Sequence, residues 1–477
     1  MDFSIVVITD FLLNAYAWFI ILYFVQINLF YFIMLLASLS AVVHYLRRNE
    51  FASYRLIIQS ELSTPISIIA PAYNEESTII ESIHSLLRLD YATMEVIVVN
   101  DGSKDKTLDV LVDYFSLRES KRLYLPSLET KPVLGIYIST KREWKKLVIV
   151  DKENGGKADA LNAGINISRY PLFCAIDADS ILENDALLKV VKPFLEDEKV
   201  IAVGGIVRVA NGCAIERGRV TDARVSKRWL PVFQTIEYFR AFLSGRMGWS
   251  KLNGLLIISG AFGLFLKDVV MAAGGFKYDT VGEDMELVSR LHRYMIEHRI
   301  PYKVVFVPDP VCWTEVPENL RTLARQRNRW HRGLLDTIII HHKMLFNPRF
   351  KQIGLLAMPY FFIFELFGPV IEFLGYLSIP ISYLIGVFSA EVLIMFFIVA
   401  VLYGVLFSLG AVLLEEISFH RYSRPMDLIK LILFAIIENF GYRQMTVIWR
   451  VKAIWDYFRG VKTWGAMKRT GFARINK

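Results

Sequence analysis

Cysteine is scarce in these 477 residues: there are three, Cys174, Cys213 and Cys312. Their spacing matches no metal-ligand pattern, and an odd, scattered set argues against a disulfide framework. A reducing compartment is expected for the soluble part. Charge is missing from Phe11 to Leu46, a run without one Asp, Glu, Lys or Arg. Internal repeats, low-complexity tracts and Gly/Ser linkers are absent too, so the parts of the chain join directly. A basic start and a small-residue cleavage site are lacking, which argues against a cleaved signal peptide.

What is present is mixed. A hydrophobic share of 54% and a mean hydropathy of +0.37 are too apolar for an ordinary soluble protein. A charged share of 21% is too high for a pure membrane bundle. The net charge of +8 collects beside the apolar runs. Arg47 and Arg48 follow the first, and from Arg450 to Lys477 the only acid is Asp456. That pattern reads as positive-inside charge and attraction to anionic membrane lipid; no nucleic-acid partner is expected.

A helix from Phe11 to Leu46 would measure about 54 Å, against a bilayer core of about 30 Å. Residues 1–48 are therefore expected to form a hairpin of two spans turning near Gln26 to Asn28. Arg47, Arg48 and Arg55 would mark the exit side as cytoplasmic. Residues 336–450 read as interfacial and transmembrane helices, and 451–477 as a basic cytoplasmic tail. Val392 to Leu414 is a clean span, whereas Lys430, Glu438 and Arg443 burden Leu428 to Ile448. An even total, four or six, is expected.

Between these parts, residues 60–335 alternate short apolar runs with helical patterns, which predicts an α/β domain with a mainly parallel sheet inserted between transmembrane helices. Strands are expected at Ile66 to Ala70, Val96 to Asn100, Leu147 to Val150, Leu172 to Ile176, Ile201 to Val203 and Val304 to Val307. In such sheets ligands bind beyond the carboxyl ends of the strands. Asn74-Glu75, Asp101-Gly102-Ser103 and Asp177-Ala178-Asp179 should meet there.

Asp177 and Asp179 follow an apolar strand, and two carboxylates one residue apart suit a hard divalent ion that also bridges a diphosphate. The same residues also suit a surface turn. Gly155-Gly156-Lys157 opens a helical pattern, so backbone N–H groups, the helix dipole and an ammonium would face an anion. Asp284 stands where another helix begins. It could cap that helix or take a proton from an acceptor hydroxyl. Gln326, Arg329 and Trp330 share a face at helical spacing, and an amide, a guanidinium and an indole suit a diphosphate beside a sugar ring. An amphipathic helix at the membrane interface would use the same residues.

In order, Pro71 to Glu76, Asn100 to Ser103, Gly156 to Asn162, Asp177 to Asp179, Gly282 to Asp284 and Gln326 to Trp330 resemble the membrane-embedded, processive family 2 glycosyltransferases. That group includes poly-N-acetylglucosamine, hyaluronan and cellulose synthases. The resemblance implies a GT-A fold, a UDP-sugar donor, a growing glycan as acceptor and Mg²⁺ or Mn²⁺. Carried over, Tyr73 and Asp101 would hold uridine, with Glu75 beside them, and Lys157 would contact the nucleotide. Asp177 and Asp179 would hold diphosphate and metal, Asp284 would be the base, and Gln326, Arg329 and Trp330 would clamp diphosphate and acceptor. Ser259, Gly260, Ala261 and Phe262 would line the acceptor site. Gly282 departs from cellulose synthases, which usually have Thr there, and Glu283 from hyaluronan synthases, which usually have Asp.

The expected activity is an inverting, processive polymerisation of UDP-glucose or UDP-N-acetylglucosamine into a β-linked polysaccharide exported through a bacterial plasma membrane, with the catalytic domain cytoplasmic. The alternatives are transfer of a single sugar to a membrane lipid, and a transporter or sensor that keeps the nucleotide fold without catalysis.

Overall fold

A computed structural model describes residues 3–50, 63–216 and 218–461. The chain enters on α1 (Phe3–Glu50), a single uninterrupted helix. The expected hairpin is thus corrected. Phe11 to Arg47 holds no Pro or Gly to break it, and Asn28 caps no turn but donates to the carbonyl of Val399 at 2.7 Å. The excess length packs on the sheet domain: Ser38 donates to the carbonyl of Ser244, and Tyr45 donates to Asp309. Arg55 lies outside the described residues.

The strands are β1 (Ile66–Ala72), β2 (Met94–Asp101), β3 (Leu117–Glu119), β4 (Val133–Ser139), β5 (Leu147–Lys152), β6 (Leu172–Ile176), β7 (Ile181–Leu182), β8 (Val200–Val209), β9 (Ala214–Glu216), β10 (Arg219–Asp222), β11 (Phe262–Leu266) and β12 (Lys303–Thr314). Ten form one sheet in the order β3-β4-β5-β2-β1-β6-β11-β8-β12-β7, and β9 and β10 form a hairpin. Its centre, β5-β2-β1-β6, is parallel, as fully buried Val/Ile runs predict. β11 then runs antiparallel between β6 and β8, and β12 is parallel to β8. All six expected strands lie within observed ones. The carboxyl ends of β1, β2, β5 and β6 share one rim, and the polar clusters follow them directly.

The helices that frame this rim are α2 (Lys157–Ile167), α3 (Trp229–Tyr238), α4 (Glu283–Glu297) and α5 (Leu320–Ile340). A π-helical segment, Phe239–Arg246, continues α3. Beyond them lie α6 (Ile353–Leu384) and α7 (Ala390–Phe419), then α8 (Pro425–Ile437) and α9 (Tyr442–Phe458), bent by 58° at their junction.

Among the described residues three helices are long and apolar enough to cross a membrane: Phe11–Arg47, α6 and α7, or four spans if α8 and α9 count as one. Four matches the lower expected total, but the spans fall differently: one before the sheet domain, not two. Both ends of the α8–α9 pair return to the sheet domain, since Lys430 reaches the carbonyl of Ser226 and Asp456 accepts from Asn328. The boundary expected at 335 falls inside α5, the one at 450 falls inside α9, and residues 462–477 of the tail lie outside the described residues.

Candidate active site

The centre of the rim is Lys157, the first residue of α2. Its ammonium lies 2.6 Å from Asp177 Oδ1 and 3.5 Å from Glu283 Oε1, and donates to the carbonyl of Gly260 at 3.0 Å. Gly260 uses its other face on the base candidate, since its N–H donates to Asp284 Oδ2 at 3.0 Å. One glycine and one lysine thus join the Asp177 turn to Asp284. Burial alone would pull the Lys157 ammonium down, but Asp177, Glu283 and Asp284 hold it above the ordinary lysine value. Burial raises Glu283, with Lys157 opposing and Asp284 adding to the rise.

Local structure explains the convergence. Gly156, at φ +87°, turns the chain into α2 in a conformation that disfavours side chains. Asp284 lies past the N-cap position, which Gly282 holds: one carboxylate oxygen accepts from the first-turn N–H of Met285 and the other reaches across to Gly260. Arg329, on α5, lies near enough to Glu283 to lower it.

The residues expected to hold the nucleotide are less alike than the sequence suggests. Tyr73 is open to solvent at 44% exposure, directly after β1. Glu75 accepts from Thr78 Oγ1 at 2.6 Å, and its N–H donates to Thr107 Oγ1, knitting the β1 loop to the helix after β2. Asp101 is 3% exposed and already accepts from Lys152 Nζ, Gly155 N, Gly156 N and Asn154 Nδ2 at 2.8, 3.0, 2.8 and 3.2 Å. A carboxylate has about four acceptor positions. For uridine to be held by Asp101, one of these donors must yield.

Of the segment expected to line an acceptor site, Ser259 and Gly260 are partly exposed and Ala261 is buried, but Phe262 opens β11 and is fully buried in the core. Its expected contact with an acceptor is corrected: it supports the segment from beneath. Gln326 points inward and accepts from Arg327 Nη1 at 2.9 Å, while Trp330 is half exposed. Arg327 stacks over the Trp330 ring at 4.3 Å from its centroid and pairs with Glu237 of α3, which also accepts from Tyr442 of α9.

Among the described residues no group of three His, Cys, Asp or Glu could hold a metal ion. Asp177 and Asp179 supply two hard oxygen donors on one turn, a set that suits a divalent ion taking its other ligands from phosphate and water. The ammonium resting against Asp177 shows that this spot favours positive charge.

The profile described as Glycosyl transferase family 2 matches residues 67–256, and that described as Glycosyl transferase family group 2 matches 172–409. The chain is a family 2 glycosyltransferase. It is 29% identical over 336 residues to a poly-beta-1,6-N-acetyl-D-glucosamine synthase of Staphylococcus epidermidis, covering 68% of this chain and 70% of that one. It is 29% identical over 301 residues to the synthase of the same name from Staphylococcus aureus strain COL, covering 63% and 60%. Among solved structures, a mannosyltransferase of Pyrobaculum calidifontis is similar at 18% identity and a TM-score of 0.48, covering 91% of this chain and 99% of that one.

Reasoning from sequence missed several residues of this glycosyltransferase site. Lys152, fully buried, joins Asp101 to Asp159 at 2.8 and 2.5 Å and so fixes the start of α2. Arg327 and Glu237 orient Trp330. Their signals were positional only: Lys152 ends a strand, and Arg327 stands inside a cluster already singled out.

Proposed function

We propose that this glycosyltransferase polymerises a β-linked N-acetylglucosamine polysaccharide from UDP-N-acetylglucosamine and exports it. The observation that carries the reading is the linkage of Asp177, Lys157, Gly260 and Asp284, which supports reading the Asp177 turn as the diphosphate site and Asp284 as the base beside it. The choice of sugar rests on the named synthases to which the chain is similar.

In this reading Asp284 accepts the proton of the acceptor hydroxyl as that oxygen bonds to the sugar's anomeric carbon. The bond to the diphosphate breaks on the opposite side, which inverts an α-linked donor to a β-linked product. Gly260 N–H aims the Asp284 carboxylate, and Lys157 is placed to meet the departing diphosphate. Asp177 and Asp179 would hold Mg²⁺ or Mn²⁺, which neutralises charge developing on the leaving group. Trp330, steadied by Arg327, offers a face for a sugar ring.

Export is supported by a polar seam that starts behind Trp330 and runs between apolar helices. His331 meets Arg450, Arg450 donates to Glu365 at 3.0 Å, and Tyr360 donates to Glu365 at the same distance. Further along, Arg443 pairs with Glu372, and Arg240 with Glu438. Ionisable pairs are costly among membrane helices and commonly mark the path of a polar substrate. Purified protein offered UDP-N-acetylglucosamine, UDP-glucose and UDP-glucuronate singly, with Mg²⁺ or Mn²⁺, should release UDP from the first. Turnover of either other donor alone would refute the choice of sugar.

A further inference from the structure

Arg246 closes the π-helical segment after α3. Such segments are rare and concentrate at functional sites. The Arg246 guanidinium stacks on Phe242 at 3.9 Å from the ring centroid. Its Nη1 is shut away from solvent without a partner, and among the described residues the group makes neither a hydrogen bond nor an ion pair.

Arg246 is only partly buried, but the lack of a carboxylate in contact with it sets it apart from three other arginines. Arg208 pairs with Glu415, Arg240 with Glu438 and Arg327 with Glu237. A guanidinium keeps its charge, so shutting its Nη1 away from water without a partner is costly. Burial pulls Arg246 down to about 10, and the carboxylate that opposes this is Asp284. Asp284 therefore acts on two cations, Lys157 at the start of α2 and Arg246 at the end of the segment after α3. This segment and the short helix after it, Met247–Lys251, pack on α1, with Ser244 held by Ser38 and Gly248 against Met34, where the sheet domain meets its first apolar helix.

We propose that Arg246 is an acceptor-binding residue, whose guanidinium donates to oxygen atoms of the glycan's terminal sugar and holds the attacking hydroxyl beside Asp284. The inference rests on the reading of the protein as a glycan-extending transferase. Guanidinium offers five donors and no acceptor, which matches hydroxyl, ring and N-acetyl carbonyl oxygens. The Phe242 face beneath it fixes the plane of the fork. An arginine so placed completes its hydrogen bonds only when the acceptor arrives.

The test uses the full-length enzyme in detergent, with UDP release measured against β-1,6-linked N-acetylglucosamine oligomers as soluble acceptor. Arg246→Met should raise the acceptor KM by at least about tenfold while the donor KM moves by less than about twofold. Arg246→Lys, which keeps the charge but loses the fork, should fall between. An unchanged acceptor KM, or a donor KM that rises as much, would overturn the inference. Where Arg246→Met is not recovered folded, the same split is read from Arg246→Lys, with the same two outcomes. Wild-type enzyme that releases no UDP would remove the proposed function and this inference together, whereas active wild type with an indifferent variant would remove the inference alone.

Discussion

Gly282 and Gly333 meet backbone to backbone: a Cβ on either would lie 2.8 Å from the Cα of the other. Gly282 precedes Glu283 and Asp284 at the start of α4, and Gly333 lies one turn beyond Arg329 on α5. Their contact sets how closely Asp284 approaches the Gln326 to Trp330 face. It also accounts for the departure at 282, because a threonine side chain there would collide with α5.

The first prediction follows from that contact. Gly→Ala inside a helix ordinarily stabilises by about 1 kcal/mol. At Gly333 the sign should reverse, with initial rate falling at least about tenfold in protein that still elutes as folded, because misplacing reacting groups by about 1 Å costs on that order or more. Wild-type rates in Gly333→Ala would show that the close approach does not matter.

Lys157 is predicted to act through the transition state. Lys157→Met removes the cation shared by Asp177 and Glu283, and kcat should fall by about 10² or more. A variant with raised KM and intact kcat would show that the ammonium serves binding alone.

A pH dependence of stability is predicted from His292. Its ring is fully buried against the Tyr302 hydroxyl and the Leu255 carbonyl, and burial lowers it from 6.5 to about 4. The unfolded chain therefore takes up a proton first as pH falls. Stability present above 6.5 should be lost progressively towards pH 4, by roughly 3 kcal/mol, and no further below that. Melting curves at pH 7.5 and 5.0 should differ less for His292→Gln than for wild type; an equal difference would assign the effect elsewhere.

The buried Arg208–Glu415 pair joins β8 to the end of α7. Arg208→Met alone should destabilise by about 3–5 kcal/mol, because it strands a buried carboxylate. The double variant Arg208→Met, Glu415→Leu should recover most of that loss in a denaturation assay. Additive losses would mean that the charges do not depend on each other.

The sheet was legible because β1, β2, β5 and β6 are short apolar runs ending at turn residues, and period and punctuation are local properties. β4 was missed: Gly135 interrupts it, and its outer neighbour is only the short β3. β11 was hidden because Ser259 to Phe262 was read as a cleft segment, whereas Phe262 already belongs to the strand. The α1 hairpin failed because length in excess of a bilayer was assigned to a second span, and nothing local reveals that the sheet domain takes up the remainder. Of the site, the clusters were legible and their wiring was not. Lys152, Glu237 and Arg246 acquire meaning only from partners far away in sequence.

The central claim, that Asp284 deprotonates the end of a growing polymer, is tested most directly by sizing the product from radiolabelled UDP-N-acetylglucosamine with purified wild type and Asp284→Asn. Wild type should give high-molecular-weight, hexosaminidase-sensitive material, and Asp284→Asn should give none while still binding UDP. Polymer made at the wild-type rate by Asp284→Asn, or only single-sugar, organic-extractable product from wild type, would contradict the account.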